Sequence, residues 1–168
     1  VDDENNSSSS PSKTSIPTII TSAGYKVSNS YIKGIKPNTE IKTIKNNLES
    51  IAGNGHITIT NSDDKSVSSG LIGTGYKVTI KNNSEEKTYT VVIHGDTSGD
   101  GIINAKDLLQ VQRNILGTYN FNNEYKLAGD TSGDGIINAK DLLEIQRQIL
   151  GNYTIKQWKD KKKWKKLT

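Results

Sequence analysis

Between Pro17 and His94 apolar and polar residues alternate in short runs. Tyr25–Lys26–Val27 and Tyr31–Ile32 predict two short strands split by a Ser-Asn turn. The stretches 57–60, 76–80 and 88–93 carry the period of two that sends alternate side chains to opposite faces of a sheet. KNNSEEK, between the last two, predicts a hairpin connection. One stretch breaks the alternation. Ile41, Ile44, Leu48 and Ile51 recur at helical spacing behind Pro37–Asn38–Thr39, and Gly53 suits the stop. The pattern over 17–94 predicts a small α+β unit, one helix on a mostly antiparallel sheet.

From Gly95 the period changes to that of a helix, and the chain repeats itself. GDTSGDGIINAKDLLQVQRNILG runs from Gly95 to Gly117, and GDTSGDGIINAKDLLEIQRQILG from Gly129 to Gly151. The copies differ only at Gln110/Glu144, Val111/Ile145 and Asn114/Gln148. Leu108, Leu109, Val111, Ile115 and Leu116 predict an apolar face on the first helix, and Leu142, Leu143, Ile145, Ile149 and Leu150 on the second. Gly117 and Gly151 suit C-terminal caps. The connector FNNEYKLAGD has room for about two helical turns. No linker separates the last predicted strand from Gly95, so the two regions are expected to pack as one unit.

Composition narrows the function classes. The chain has no cysteine, which excludes disulfides and thiolate metal sites. It has no methionine and begins at Val1, so a fragment or processed form with something larger upstream is expected. No apolar run is long enough to span a bilayer. The net charge of +4 divides into +1 over residues 1–94, −3 over 95–151 and +6 over 152–168. The basicity therefore belongs to the C-terminal tail, and the chain as a whole does not read as nucleic-acid binding. Catalysis finds little support. His56 and His94 are the only histidines and neither sits in a motif, and no nucleophile elbow or phosphate-binding glycine loop is present. The chain is expected not to be an enzyme.

The repeat carries the chemistry. With Asp96 as position 1 of a loop, Ser98 falls at 3, Asp100 at 5, Gly101 at 6, Ile102 at 7, Asn104 at 9 and Asp107 at 12. Asp130, Ser132, Asp134, Gly135, Ile136, Asn138 and Asp141 occupy the same positions 34 residues later. Calcium takes six to eight oxygens at about 2.3–2.6 Å, and a twelve-residue loop delivers them from alternate positions, with a backbone carbonyl at 7 and a carboxylate at 12. The candidate ligands for two calcium ions are therefore Asp96, Ser98, Asp100, Ile102, Asn104 and Asp107, then Asp130, Ser132, Asp134, Ile136, Asn138 and Asp141. Ile103 and Ile137, at position 8, are expected to pack the loops together. One DTSGDG alone would read as an Asx-rich turn, but two copies with every ligand position kept argue for a metal site. Three carboxylates per loop repel one another without a cation, so the region is expected to be loosely folded in the absence of calcium. Position 12 is Asp rather than the longer Glu, and neither loop has a convincing helix before it, which disfavours a helix–loop–helix calcium sensor.

The doubled D-x-S-x-D-G-x-I-N-x-x-D, each followed by DLL-x-x-Q-R-x-IL-G, resembles a type I dockerin over Gly95–Gly151. The resemblance implies an all-α module of two calcium loop–helix units, each half an EF-hand, related by a pseudo-twofold axis. It implies a non-covalent adaptor that binds a cohesin module and anchors an upstream secreted enzyme or scaffold protein in a cellulosome-like or cell-surface complex, mostly of anaerobic Gram-positive bacteria. The family usually has Asn or Asp at position 3, so Ser98 and Ser132 are departures expected to weaken calcium binding. Family specificity lies mainly at positions 10, 11, 17 and 18. Carried over, these are Ala105, Lys106, Gln112 and Arg113, and then Ala139, Lys140, Gln146 and Arg147. The Ala-Lys pair implies a cohesin with an acidic groove edge. Because both copies carry the same four letters, a 180° rotation presents nearly the same face, and either helix is expected to dock on one cohesin.

GYKVSNSYIKGIKPNT, GTGYKVTI and KTYTVVIHGD are similar to the X-modules that directly precede some dockerins. That implies a unit that stabilises the dockerin and touches the cohesin, with a plain spacer as the other reading. The expected division is a flexible Ser-rich linker over 1–16, an X-module-like α+β domain over 17–94, the dockerin over 95–151 and a basic Lys/Trp tail over 152–168. Trp158 and Trp164 sit among seven lysines in that tail. Weak contact with a cell-wall polyanion, an aromatic clasp in which Tyr153 or Trp158 packs near His94, and a solvated tail all stay open. The rival function is carbohydrate or cell-wall binding through an aromatic platform of Tyr25, Tyr31, Tyr76 and Tyr89. The expected protein is secreted, monomeric by itself and without a membrane span or nucleic-acid partner.

Overall fold

The computed structural model describes residues 14–158. Residues 1–13 of the expected linker and 159–168 of the expected tail, Trp164 among them, lie outside the described residues. The chain begins with a helix, α1 (Ile16–Ser22), then a hairpin of β1 (Lys26–Ser28) and β2 (Tyr31–Lys33), and a second helix, α2 (Ile41–Ala52). Three strands follow, β3 (Ile57–Thr60), β4 (Lys77–Asn82) and β5 (Glu85–Val91), and then three helices, α3 (Ala105–Ile115), α4 (Asn123–Gly129) and α5 (Ala139–Ile149). The class is α+β, with the repeat region helical as expected.

The five strands form one sheet in the order β1-β2-β5-β4-β3, antiparallel except where β2 runs parallel to β5. Ile32, Ile57, Ile59, Val78, Ile80, Tyr89 and Val91 alternate onto one face and are buried there beneath both helices. The other face carries Thr79 and Thr88, directly paired with hydroxyls 2.8 Å apart, and the ion pair Lys81–Glu86. The hairpin between β4 and β5 closes through Asn83, whose φ of 60° is one that Asn tolerates.

Two helices cover the sheet, not one, which corrects the expectation. IPTIITS is rich in β-branched residues, and seven residues are too few for a stable isolated helix. It is helical because Ile16, Ile19 and Ile20, at i, i+3 and i+4, bury together. Ser15 caps the first turn by accepting the Thr18 amide, and Pro17 sits where its missing N–H costs nothing. In α2, Ile41, Ile44 and Leu48 are buried, but Ile51 is 42 % exposed and does not belong to the core.

The second core is small. Val111, Phe121, Ile145 and Ile155 are buried, and Ile103, Leu108, Tyr125, Ile137, Leu142 and Tyr153 pack around them. Ile103 and Ile137 thus contribute to one cluster from the two loops. The expected apolar helix faces are only partly core. Val111 and Ile145 are fully buried, whereas Leu109, Ile115, Leu116, Leu143, Ile149 and Leu150 are exposed. A second correction concerns the loops' entrances. The first is entered from the sheet through buried Val92 and Ile93, but the second is entered from α4, whose C-cap is Asp130 itself. The seven residues of α4 carry too short an apolar pattern to announce a helix; burial of Ala128 and Gly129 holds it.

The sheet unit and the helical region meet over the first loop. The Asn38 amide donates to the Gly101 carbonyl at 2.8 Å, and the Gly95 amide to Ala128 at 2.8 Å. Thr74 is fully buried between them, its hydroxyl exchanging hydrogen bonds with the Ile93 carbonyl and amide at 3.2 and 3.1 Å. Gly73 is glycine for space: a Cβ there would collide with the Gly99 carbonyl oxygen.

Candidate metal centres

The loop residues come together as two matching nests. Carboxylate oxygens of Asp96, Asp100 and Asp107 lie within 4.8 Å of one another, and so do those of Asp130, Asp134 and Asp141. In the first loop, Asp96 Oδ1 accepts the amides of Gly99 and Asp100 at 3.0 and 3.2 Å, and Oδ2 accepts that of Gly101 at 3.0 Å. In the second, Asp130 does the same with Gly133, Asp134 and Gly135 at 3.0, 3.2 and 2.8 Å. A tight turn with backbone N–H groups aimed inward orients the first ligand of each loop.

The last ligands are placed by the helices. Asn104 and Asn138 are the N-caps of α3 and α5, each accepting the amide two residues on at 2.9 and 3.0 Å. Asp107 and Asp141 close the capping boxes, accepting the N-cap amides at 2.9 Å in both copies. Their other oxygens accept the Ser98 and Ser132 amides at 2.9 Å, which ties the start of each loop to its end. The helix thus begins where the loop ends because one carboxylate serves both. Ser98 and Ser132 point their hydroxyls at Asp96 and Asp130, at 3.4 and 3.3 Å. The side chains of Ile102 and Ile136 are exposed, consistent with a position whose backbone, not side chain, is asked to act.

The electrostatics are those of a site short of positive charge. Asp96, Asp107 and Asp141 are fully buried. Among the described residues the ion pairs join lysines to acidic residues elsewhere, none of them in the loops. Burial pushes the Asp96 carboxyl up to about 6, against the Thr74 and Gly101 amides that favour the anion, and the Asp107 charge adds to the rise. Burial also raises Asp107, opposed by donors from Asn104 and Ser98. Asp134, at the surface, is lowered by the Ile136 amide. Buried carboxylates without a basic partner are costly. Hard oxygen donors from carboxylate, amide, hydroxyl and carbonyl, with no nitrogen or sulfur, fit calcium.

All eight expected docking residues are exposed: Ala105, Lys106, Gln112 and Arg113 along α3, and Ala139, Lys140, Gln146 and Arg147 along α5. The copies are not fully equivalent. The Arg147 guanidinium lies over the Tyr153 ring at 5.3 Å, whereas Tyr119, the matching tyrosine of the first copy, stacks edge-on with Phe121 at 5.1 Å. This face also has an apolar component that the expected docking residues do not include. Leu116 and Leu150 are 71 % and 69 % exposed, with Leu109 and Leu143 exposed beside them. Spacing alone carried no signal for this division, because Leu109 and Leu116 lie roughly 80–100° around the helix from Leu108, within the arc that one packing stripe spans.

Elsewhere the expectations fare differently. Tyr25 and Tyr89 are buried in the sheet core, so the four-tyrosine platform does not exist as a surface. The two ends of the repeat region are joined near His94 by Gln157, while Tyr153 engages Arg147. Trp158 and His94 line one cleft of about 530 Å³ beside the second loop. No helix among the described residues is long and apolar enough to cross a membrane.

Residues 94–150 match the family model of the dockerin type I domain. No curated protein and no solved structure matches the chain. Dockerins are non-catalytic modules that bind calcium and, with it, cohesin modules of cellulosome-type assemblies.

Proposed function

We propose that this chain, whose residues 94–150 form a type I dockerin domain, is a calcium-dependent adaptor that plugs the polypeptide it belongs to into a cohesin-bearing extracellular complex. The observation that carries the proposal is the coincidence of two acidic nests with two exposed helix faces of the same composition. Each nest sits at the N-terminus of the helix it serves, so organising the loop organises the face.

Asp96, Ser98, Asp100, Asn104 and Asp107, with the Ile102 carbonyl, would hold one calcium ion, and Asp130, Ser132, Asp134, Asn138 and Asp141, with the Ile136 carbonyl, a second. Bound there, calcium supplies the positive charge that the buried carboxylates lack. Asp107 and Asp141 pass the order of the loop to the first turn of α3 and α5 through their capping boxes. Lys106, Arg113, Lys140 and Arg147 then offer charge to an acidic groove edge, and Leu109, Leu116, Leu143 and Leu150 offer apolar area. A charged rim around apolar anchors is the usual anatomy of a specific interface. The repetition supports two alternative docking orientations, one centred on each helix.

The sheet unit over 17–94 acts as an X-module-like support. Its contacts with the first loop, through Asn38, Gly73 and Thr74, favour that role over a plain spacer. Titration calorimetry of the whole chain against a panel of purified cohesins, in calcium and in excess chelator, tests the proposal. Calcium-dependent, one-to-one binding to at least one cohesin is expected. Binding that persists unchanged in chelator would remove calcium from the mechanism, and no binding across the panel would remove the cohesin.

A further inference from the structure

Two loops of one sequence, DTSGDGIINAKD, lie in two different surroundings. Within the loops the hydrogen bonds that the ligand side chains accept match pair by pair. The difference comes from outside. Asp96 Oδ2 accepts one donor more, the backbone amide of Thr74 at 2.9 Å, from a segment 22 residues earlier in the chain. The only amide donated to Asp130 Oδ2 among the described residues is that of Gly135.

Packing shows the same asymmetry. Gly101 is buried, and a Cβ on it would strike the Ile72 carbonyl oxygen; a Cβ on Gly99 would strike that of Thr74. At the matching position of the second loop, Gly135 is exposed and a Cβ would meet nothing within 4 Å. Asp96 is 0 % exposed and Asp130 9 %. The segment 71–75 therefore forms a wall against the first loop, and no described segment packs in the same way against Gly135 of the second.

We propose that the segment Leu71–Gly75 is a positioning element for the first loop, so that the two loops hold calcium unequally and the first releases its ion more slowly. The inference rests on the calcium assignment above. A loop already confined loses less conformational freedom when it closes on an ion. Releasing the ion from the first loop requires its turn to move away from Ile72 and Thr74, whereas the turn of the second loop, at Gly135, has no described atom against it and faces a cleft. A hydrogen bond to a carboxylate is strong enough to make the release rates differ about tenfold. When calcium falls, the α5 half lets go first, and the α3 half stays formed against the sheet.

The test uses the whole chain, loaded with calcium and mixed rapidly with a fluorescent chelator. Two release phases of equal amplitude, about tenfold apart, are expected. Asp100→Ala should remove the slow phase and Asp134→Ala the fast one, which assigns each phase to its loop. Gly73→Ala, outside both loops, should accelerate the slow phase and leave the fast phase unchanged. Two ions leaving at one rate, or loss of the fast phase in Asp100→Ala, would overturn the inference while leaving calcium binding intact. These outcomes do not depend on the folding of Gly73→Ala. If neither loop binds calcium, the adaptor proposal falls, and this inference with it.

Discussion

Gln157 brackets the backbone of His94. Its side-chain carbonyl accepts the His94 amide at 2.7 Å and its side-chain amide donates to the His94 carbonyl at 3.0 Å, across 63 residues of sequence. One side chain thereby ties the end of the repeat region to the strand that enters it, beside buried Ile155. Gln157→Ala removes both bonds from a partly buried position and should cost about 1–2 kcal/mol. Thermal denaturation in calcium should show a lower midpoint. An unchanged midpoint would mean that the ends are held by Ile155 alone.

Calcium removal should disorder the helical region and spare the sheet. The second core has four buried apolar residues, and four buried carboxylates, Asp96, Asp107, Asp130 and Asp141, sit beside it with no ion pair among the described residues. Two ions bound well above their dissociation constants contribute about 3 kcal/mol each. Chelation should therefore lower the melting midpoint by roughly 10 °C or more, with loss of helical circular dichroism. A helical signal indifferent to chelator would contradict the account of the loops.

The chelated protein should lose stability as pH rises. Asp96 titrates near 6 in the fold, above its ordinary value of 3.8, chiefly because burial disfavours the charge. The folded state therefore binds more protons than the unfolded state between about pH 4 and pH 6. The Asp96 contribution is fully present below that window and is lost as pH passes through it. Calcium affinity should rise over the same window, because the ion competes with that proton. Melting in chelator across this range should show the fall, and Asp96→Asn should flatten it. An equal fall in Asp96→Asn would assign the effect to other groups.

Cohesin binding should tolerate the loss of one face and not of both. Lys106→Ala with Arg113→Ala should weaken binding only a few-fold if the module turns over and docks through α5. Adding Lys140→Ala and Arg147→Ala should cost about 2 kcal/mol or more, near the scale of an interface hot spot. Full loss from the first pair alone would limit docking to one orientation. Leu116→Ala with Leu150→Ala, one change on each face, should likewise weaken binding while leaving the melting midpoint nearly unchanged, since both side chains are largely exposed.

The two acidic loops were legible in the sequence because their chemistry is local. Every proposed ligand falls within twelve residues, and the same spacing occurs twice. The strands were legible for a similar reason, since alternation over a few residues is enough to mark a face. The helix α1 was not. Its β-branched residues and short length argue against a helix, and only burial of Ile16, Ile19 and Ile20 against the sheet reverses that preference. Nor could periodicity divide the apolar residues of α3 between core and surface. Val111 and Leu109 are both apolar, yet one is fully buried and the other 46 % exposed. Which of them meets a partner depends on where α5 lies, a contact between segments remote in sequence.

The inequality of the two loops belongs wholly to the tertiary level. No residue within the loops distinguishes them. Thr74 and Gly73 look unremarkable in a stretch of strand-connecting sequence, and the hydrogen bond to Asp96 exists because the sheet brings segment 71–75 over the first loop. Ligand identity and spacing follow from the order of residues along the chain. How tightly a loop is confined follows from what packs against it, which long-range contacts alone establish.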